Sequence, residues 1–99
     1  EQAAASLTET GADVIGANCG QGPSDYIPIC RRLGSATELP LWIKPNAGLP
    51  ELVDGRAVYK TSPGDFAVQI PSIIEAGASF VGGCCGATPE FIRAVASRI

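Results

Sequence analysis

The segment ETGADVIGANCG, Glu9 to Gly20, returns near the other end of the chain as EAGASFVGGCCG, Glu75 to Gly86. The glutamate, the Gly-Ala pair, a later glycine, a cysteine and the closing glycine all coincide. Each copy starts as the end of a helix stopped by glycine, Gly11 or Gly77, and runs on into a short apolar strand. Any two helix-to-strand units share a glycine stop and a small-residue strand end, but the coincident cysteines need another reason. Short apolar strands separated by helical crossovers lie parallel, so a chain built this way is an α/β protein.

The rest of the chain keeps the alternation. EQAAASLTET reads as a helix ending at Gly11, and ADVIGANC as a short buried strand. A second helix is expected over Asp25 to Leu33, with Ser24 as N-cap, Pro28 in its first turn and Gly34 closing it. LPLWIKPNAG supplies the second strand, and an irregular stretch follows. SPGDFAVQIPSIIEAGA reads as a helix that starts near Pro63, kinks at Pro71 and stops at Gly77. SFVGG is the third strand. In the last helix Thr88 suits the N-cap, Pro89 the first turn and Glu90 the positive end of the dipole, and Phe91, Ile92, Val95 and Ile99 share a face.

Composition narrows the functions available. With 99 residues, 45% of them hydrophobic, one small core is expected. A net charge of −3 with scattered basic residues offers no footprint for nucleic acid or an anionic membrane. No apolar run approaches the roughly 20 residues that span a bilayer, and the start of the chain lacks the order of a signal peptide, so the expected compartment is the cytosol. There Cys19, Cys30, Cys84 and Cys85 are expected to be reduced, which favours metal binding or catalysis over a disulfide framework.

Both copies of the recurring pattern put sulfur at the C-terminal end of a parallel strand, the edge where α/β sheets and barrels build their sites. Cys19 and the Cys84–Cys85 pair can therefore converge from separate strands. Neighbouring residues in a regular strand point to opposite faces, so the pair reaches one ion only if the backbone leaves the strand there, and Gly82, Gly83 and Gly86 ease that departure. Three thiolates suit tetrahedral zinc and leave one position open, the arrangement of a catalytic rather than a structural site. The chain has no histidine, and Cys30 lies mid-helix beside Ile29 and Leu33, where a buried structural role is expected.

GANCGQGP, KPNAGLP and GGCCGATPEFI together resemble the late-barrel motifs of the homocysteine S-methyltransferase family, most closely its cobalamin-dependent branch. The resemblance runs over essentially the whole chain, and the Gly-Gly-Cys-Cys-Gly element is its most specific part. It implies a (β/α)8 TIM barrel of which residues 1–99 are the C-terminal part, a single incomplete homocysteine-binding domain. It also implies zinc on Cys19, Cys84 and Cys85. The earlier strands, which in the family supply most contacts to the amino-acid end of homocysteine, are not in this chain. Such a piece is expected to self-associate, to show disorder near Cys19 or to have a metal-free site.

The chemistry implied is methyl transfer to homocysteine, held as a zinc-bound thiolate, giving methionine. The donor expected is methylcobalamin on another domain, with folate- and cobalamin-binding regions as partners. S-methylmethionine and betaine are the alternative donors. Two other functions fit the residues: a non-catalytic zinc module closed by Cys30, and an α/β interaction domain with incidental cysteines that binds no metal.

Lys44 is expected at a solvated or barrel-rim position and Trp42 in packing. Asp65 and Glu75 suit helix surfaces. Gly48, Gly82, Gly83 and Gly86 read as shape determinants, with Gly83 also at the substrate position. Asn46, at the end of the strand between the two cysteine-bearing strands, is either a turn residue or a neutral amide ligand bordering the open position.

Overall fold

A computed structural model describes residues 1–99. Helix α1 (Gln2–Glu9) leads into strand β1 (Ile15–Cys19), and a short 3-10 turn at Pro23–Asp25 opens helix α2 (Tyr26–Ala36). Strand β2 (Leu41–Pro45) is followed by a hairpin of β3 (Glu51–Val53) and β4 (Arg56–Val58). Helices α3 (Pro63–Ala67) and α4 (Ile70–Glu75), strand β5 (Ala78–Val81) and helix α5 (Pro89–Ala96) complete the chain.

The expected α/β class is present, with three parallel strands in the order β1-β2-β5. β1 and β2 pair in unbroken register from Ile15 opposite Leu41 to Cys19 opposite Pro45. β2 and β5 pair with one register shift after Leu41. Both crossovers step the same way across the sheet, and connections of one hand stepping in one direction deliver their helices to one face. Leu41 and Ile43 point into that covered face, where they join Tyr26, Cys30, Phe66, Ile70 and Ile73 in the core.

The opposite face is open. Trp42 and Phe80, on neighbouring strands, are 47% and 50% exposed, with ring centroids 6.1 Å apart. The Lys44 ammonium lies 4.9 Å from the Trp42 ring centroid, a cation–π contact. Trp42, expected in packing, packs against Phe80 and Lys44 on this uncovered face. An apolar sheet face with a lysine on it is not a stable boundary with water, and it marks a surface that fits further protein.

Several local expectations shift. Ser24 does not cap α2, since it lies inside the 3-10 turn, while Pro28 does fall in the first turn of α2. Gly34 does not close α2, which continues to Ala36. The helix expected to kink at Pro71 is two helices, because Pro71 sits in the first turn of α4 where its missing N–H costs nothing. Ser62 caps α3 by accepting the Asp65 N–H at 3.1 Å. Thr88 is the N-cap residue of α5 but makes no side-chain capping bond. Of the four residues expected to share a face, Phe91 and Val95 are buried, Ile92 is exposed, and Ile99 lies beyond the end of α5 and is exposed. The stretch left irregular contains the β3–β4 hairpin, whose strands are exposed along their length. An all-exposed strand has no buried face, so it gives no alternating signal to read.

Phe66 is fully buried and meets Phe91 edge to face at 5.5 Å between centroids. Phe66→Ala is expected to cost about 3–5 kcal/mol in a urea denaturation of the chain. Leu52→Ala, at an 82% exposed hairpin position, is expected to stay within about 0.5 kcal/mol.

Candidate metal centre

The three sulfurs expected to converge do so. The Sγ atoms of Cys19, Cys84 and Cys85 all lie within 4.8 Å of one another. Cys19 and Cys84 are 2.8 Å apart, and Cys84 and Cys85 are 4.0 Å apart. Cys85 is exposed and the other two are half-buried, so the cluster is open to an incoming molecule.

This convergence depends on how the chain leaves the sheet. Cys19 has a φ of 69° and Gly20 one of 74°. A non-glycine residue in the left-handed region is strained by roughly 1–2 kcal/mol, and such strain persists where the surroundings impose it, commonly at functional sites. On the other side, Cys84 N–H donates to the Pro45 carbonyl at 2.9 Å, and the chain then turns back through a bond from Ala87 N–H to the Cys84 carbonyl at 3.0 Å. A Cβ on Gly83 would stand 2.5 Å from the Ala87 Cβ, so only glycine lets this turn fold so tightly. Gly86 has a φ of 83°, and a Cβ there would meet the Tyr59 ring at 2.5 Å. The hairpin thus delivers Tyr59 against the back of the cysteine turn.

Asn46 is buried between the two cysteine loops. Its Nδ2 donates to the Gly20 carbonyl at 2.7 Å, and its Oδ1 accepts from Cys85 N–H at 3.0 Å. Both ends of the amide are spent on backbone, and the oxygen faces the Cys85 peptide in this conformation. Asn46 therefore borders the sulfur cluster as a cross-loop tie.

Two site residues escaped sequence reasoning. Asn18 Nδ2 donates to Cys19 Sγ at 3.3 Å and to Cys84 Sγ at 3.6 Å. Asn18 occupies the place in the first copy of the repeated pattern that Cys84 holds in the second, which marks its position but not the atoms it touches. Tyr59 lay in the stretch with no readable periodicity. Cys30 stands apart from the cluster, fully buried, its thiol 3.8 Å from the Ile73 carbonyl. A closed four-sulfur site using Cys30 has no support in this geometry.

The charges differ among the sulfurs. The hydrogen bond between Cys19 and Cys84, then partial burial, pushes the Cys19 thiol up to about 11. The same bond, joined by the one from Asn18, lowers Cys84 to about 7. Of the two, Cys19 holds its proton the more tightly and Cys84 ionises first. Burial pushes Cys30 up.

The donor set fits zinc. Sulfurs on a tetrahedral zinc lie about 3.8 Å apart. The 4.0 Å separation of Cys84 and Cys85 has that spacing already. The Cys19–Cys84 pair, at 2.8 Å, needs to open by about 1 Å. With no fourth histidine, cysteine or carboxylate in the group, a tetrahedral ion held by these three sulfurs would have one position free.

A parallel sheet of this order, with a three-sulfur cluster at its C-terminal edge, defines an α/β protein with a candidate metal site. The chain belongs to the homocysteine S-methyltransferase family, whose model matches residues 1–99. It is 41% identical over 98 residues to a methionine synthase of Mycobacterium leprae (strain TN), a match covering 98% of this chain and 8% of that protein. It is 42% identical over 90 residues to a methionine synthase of Mycobacterium tuberculosis (strain ATCC 25618 / H37Rv), covering 90% and 8% respectively. The chain thus spans about 8% of the length of the curated relatives it matches.

In metal-free protein, alkylation of Cys84 by iodoacetamide is expected to rise through pH 7 as its thiolate forms, following the value of about 7. Cys19, held up near 11, stays largely unmodified over the same range. Mass spectrometry of the digested protein reads both, and a Cys19 that reacts first would reverse the direction of the hydrogen bond.

Proposed function

We propose that this chain is the C-terminal part of a (β/α)8 homocysteine-binding barrel in which Cys19, Cys84 and Cys85 hold one zinc. The protein that contains it methylates homocysteine to methionine. The observation that carries this reading is the meeting of three sulfurs from two non-adjacent strands with no fourth protein ligand beside them. The family and the names of the relatives support the substrate and the product. The uncovered face bearing Trp42, Lys44 and Phe80 fits the interior wall of a barrel whose other strands lie outside this chain.

Zinc supplies acidity, so that a homocysteine thiol, ordinarily protonated at neutral pH, is present as thiolate. The chain's own residues do the rest. Three cysteinates outweigh the charge of a divalent ion by one, which keeps the substrate sulfur electron-rich. Asn46 ties the loops of Cys19 and Cys85 together and so sets their spacing at the edge of the substrate position. Gly83 permits the turn that brings Cys84 and Cys85 to the same side. Methyl transfer forms a carbon–sulfur bond on homocysteine, breaks the bond from methyl to the donor and leaves that electron pair on the donor.

The PNAGLP stretch favours methylcobalamin as donor, bound with folate by domains elsewhere in the protein; S-methylmethionine or betaine would use the same sulfur site. Alone, residues 1–99 would present their uncovered face to solvent and self-associate. We place the protein in the cytoplasm as part of this reading; no helix of this chain is long and apolar enough to cross a membrane.

The full-length protein is expected to hold one zinc per chain. Serine at Cys19, Cys84 or Cys85 should each weaken zinc at least about tenfold and abolish homocysteine methylation, because each removes one of three ligands. Cys30→Ser should keep both. Metal analysis alongside a methionine assay decides it, and loss of zinc on changing Cys30 would contradict the open three-sulfur site.

A further inference from the structure

If the site works as proposed, it faces a problem of selectivity. Three cysteine sulfurs and the homocysteine sulfur all sit as thiolates around one ion, and an electrophilic methyl group distinguishes them only by position and nucleophilicity. Methylation of a cysteine would convert a charged ligand into a neutral thioether and ruin the site. Something must make the ligands poorer nucleophiles than the substrate.

Asn18 is placed to do this. Its side chain projects from the open face of β1, opposite Lys44 in the register with β2. Its amide nitrogen lies 3.3 Å from Cys19 Sγ and 3.6 Å from Cys84 Sγ, and the two amide hydrogens suffice for one bond to each. Cys85 receives no such bond from a side-chain amide; its sulfur has Cys84 at 4.0 Å and Cys19 within 4.8 Å. A hydrogen bond to a thiolate draws electron density from sulfur, which lowers both its basicity and its intrinsic nucleophilicity. The repeated pattern sharpens the point, since the position that carries a ligand in the second copy, Cys84, carries this donor in the first.

We propose that Asn18, by donating an N–H to the sulfurs of Cys19 and Cys84, damps the nucleophilicity of these two ligands so that methyl transfer falls on the substrate sulfur. Asn18 is on this view a positioning residue that acts through the cysteines. The inference rests on the zinc reading of the site, and it adds the reason why the ligands survive turnover.

The test uses full-length, zinc-loaded protein without homocysteine, exposed to methyl iodide. Each event forms a carbon–sulfur bond on a cysteine and expels iodide, and mass spectrometry of the digest counts it residue by residue. Cys85 serves as the internal reference. Asn18→Ala is expected to raise methylation of Cys19 and Cys84 relative to Cys85 by about tenfold, the scale of one charge-assisted hydrogen bond. Asn18→Asp keeps the shape and the shielding but removes both donors, so it is expected to shift the ratio the same way.

A ratio unmoved in both variants would overturn the inference, as would a rise in Asn18→Ala alone, which would mean that Asn18 only covers the sulfurs. Loss of zinc from both variants would overturn it as well, by assigning Asn18 to holding the metal. A wild-type protein that binds no zinc would sink the metal centre and this inference with it, whereas zinc-loaded wild type with an unmoved ratio would sink the inference alone.

Discussion

The strands that carry the sulfurs do not touch. β1 and β5 flank β2, which puts their backbones about 10 Å apart in the sheet, yet Cys19 and Cys84 bring their sulfurs to 2.8 Å. Closing that gap requires both chains to leave the sheet at its edge and lean over the end of β2. The end of β2 is built to hold them there. Asn46 N–H donates to the Cys19 carbonyl at 3.2 Å, the Pro45 carbonyl accepts from Cys84 N–H at 2.9 Å, and Ala47 N–H donates to the Cys85 carbonyl at 3.0 Å. The Asn46 side chain adds a bond to each side. The left-handed Cys19 is the strain this arrangement imposes, and the ladder around Asn46 offsets it.

The same geometry explains why one face of the sheet is finished and the other is not. The helices cover Leu41 and Ile43, and that side forms a closed core with fully buried Phe66, Ile70 and Ile73. Asn18 lies on the side of Trp42, Lys44 and Phe80, which nothing in this chain covers, and its amide reaches two sulfurs of the cluster at the sheet edge. Of the ion pairs present, Arg32 with Glu1 and Lys60 with Glu51, both are exposed and neither involves Lys44. Lys44 is instead held over the Trp42 ring, 4.9 Å from its centroid.

Much of this was legible in the sequence, for reasons that can be named. Glycine stops before short apolar runs located the parallel strands, since each marks where a helix ends and the next strand begins. Cysteines at matching strand ends located the cluster, because position in a parallel sheet fixes which edge a residue reaches. The hairpin was invisible because exposed strands leave no burial pattern, and Tyr59 was lost with it. The ends of α2 moved because the 3-10 turn absorbed Ser24 and because a single glycine, Gly34, is tolerated inside a helix. The engagement of Asn46 and Asn18 was beyond sequence reading: that an amide sits near a site follows from its strand position, but whether it faces sulfur or peptide is decided by ångström-scale packing.

The central claim is an open three-cysteine zinc site whose fourth position is taken by the substrate sulfur. Zinc K-edge X-ray absorption on the full-length protein, before and after homocysteine is added, tests it most directly. The account predicts three sulfurs and one lighter atom at the start, and four sulfurs once homocysteine binds. Four sulfurs in the absence of homocysteine, or a shell that homocysteine leaves unchanged, would contradict it.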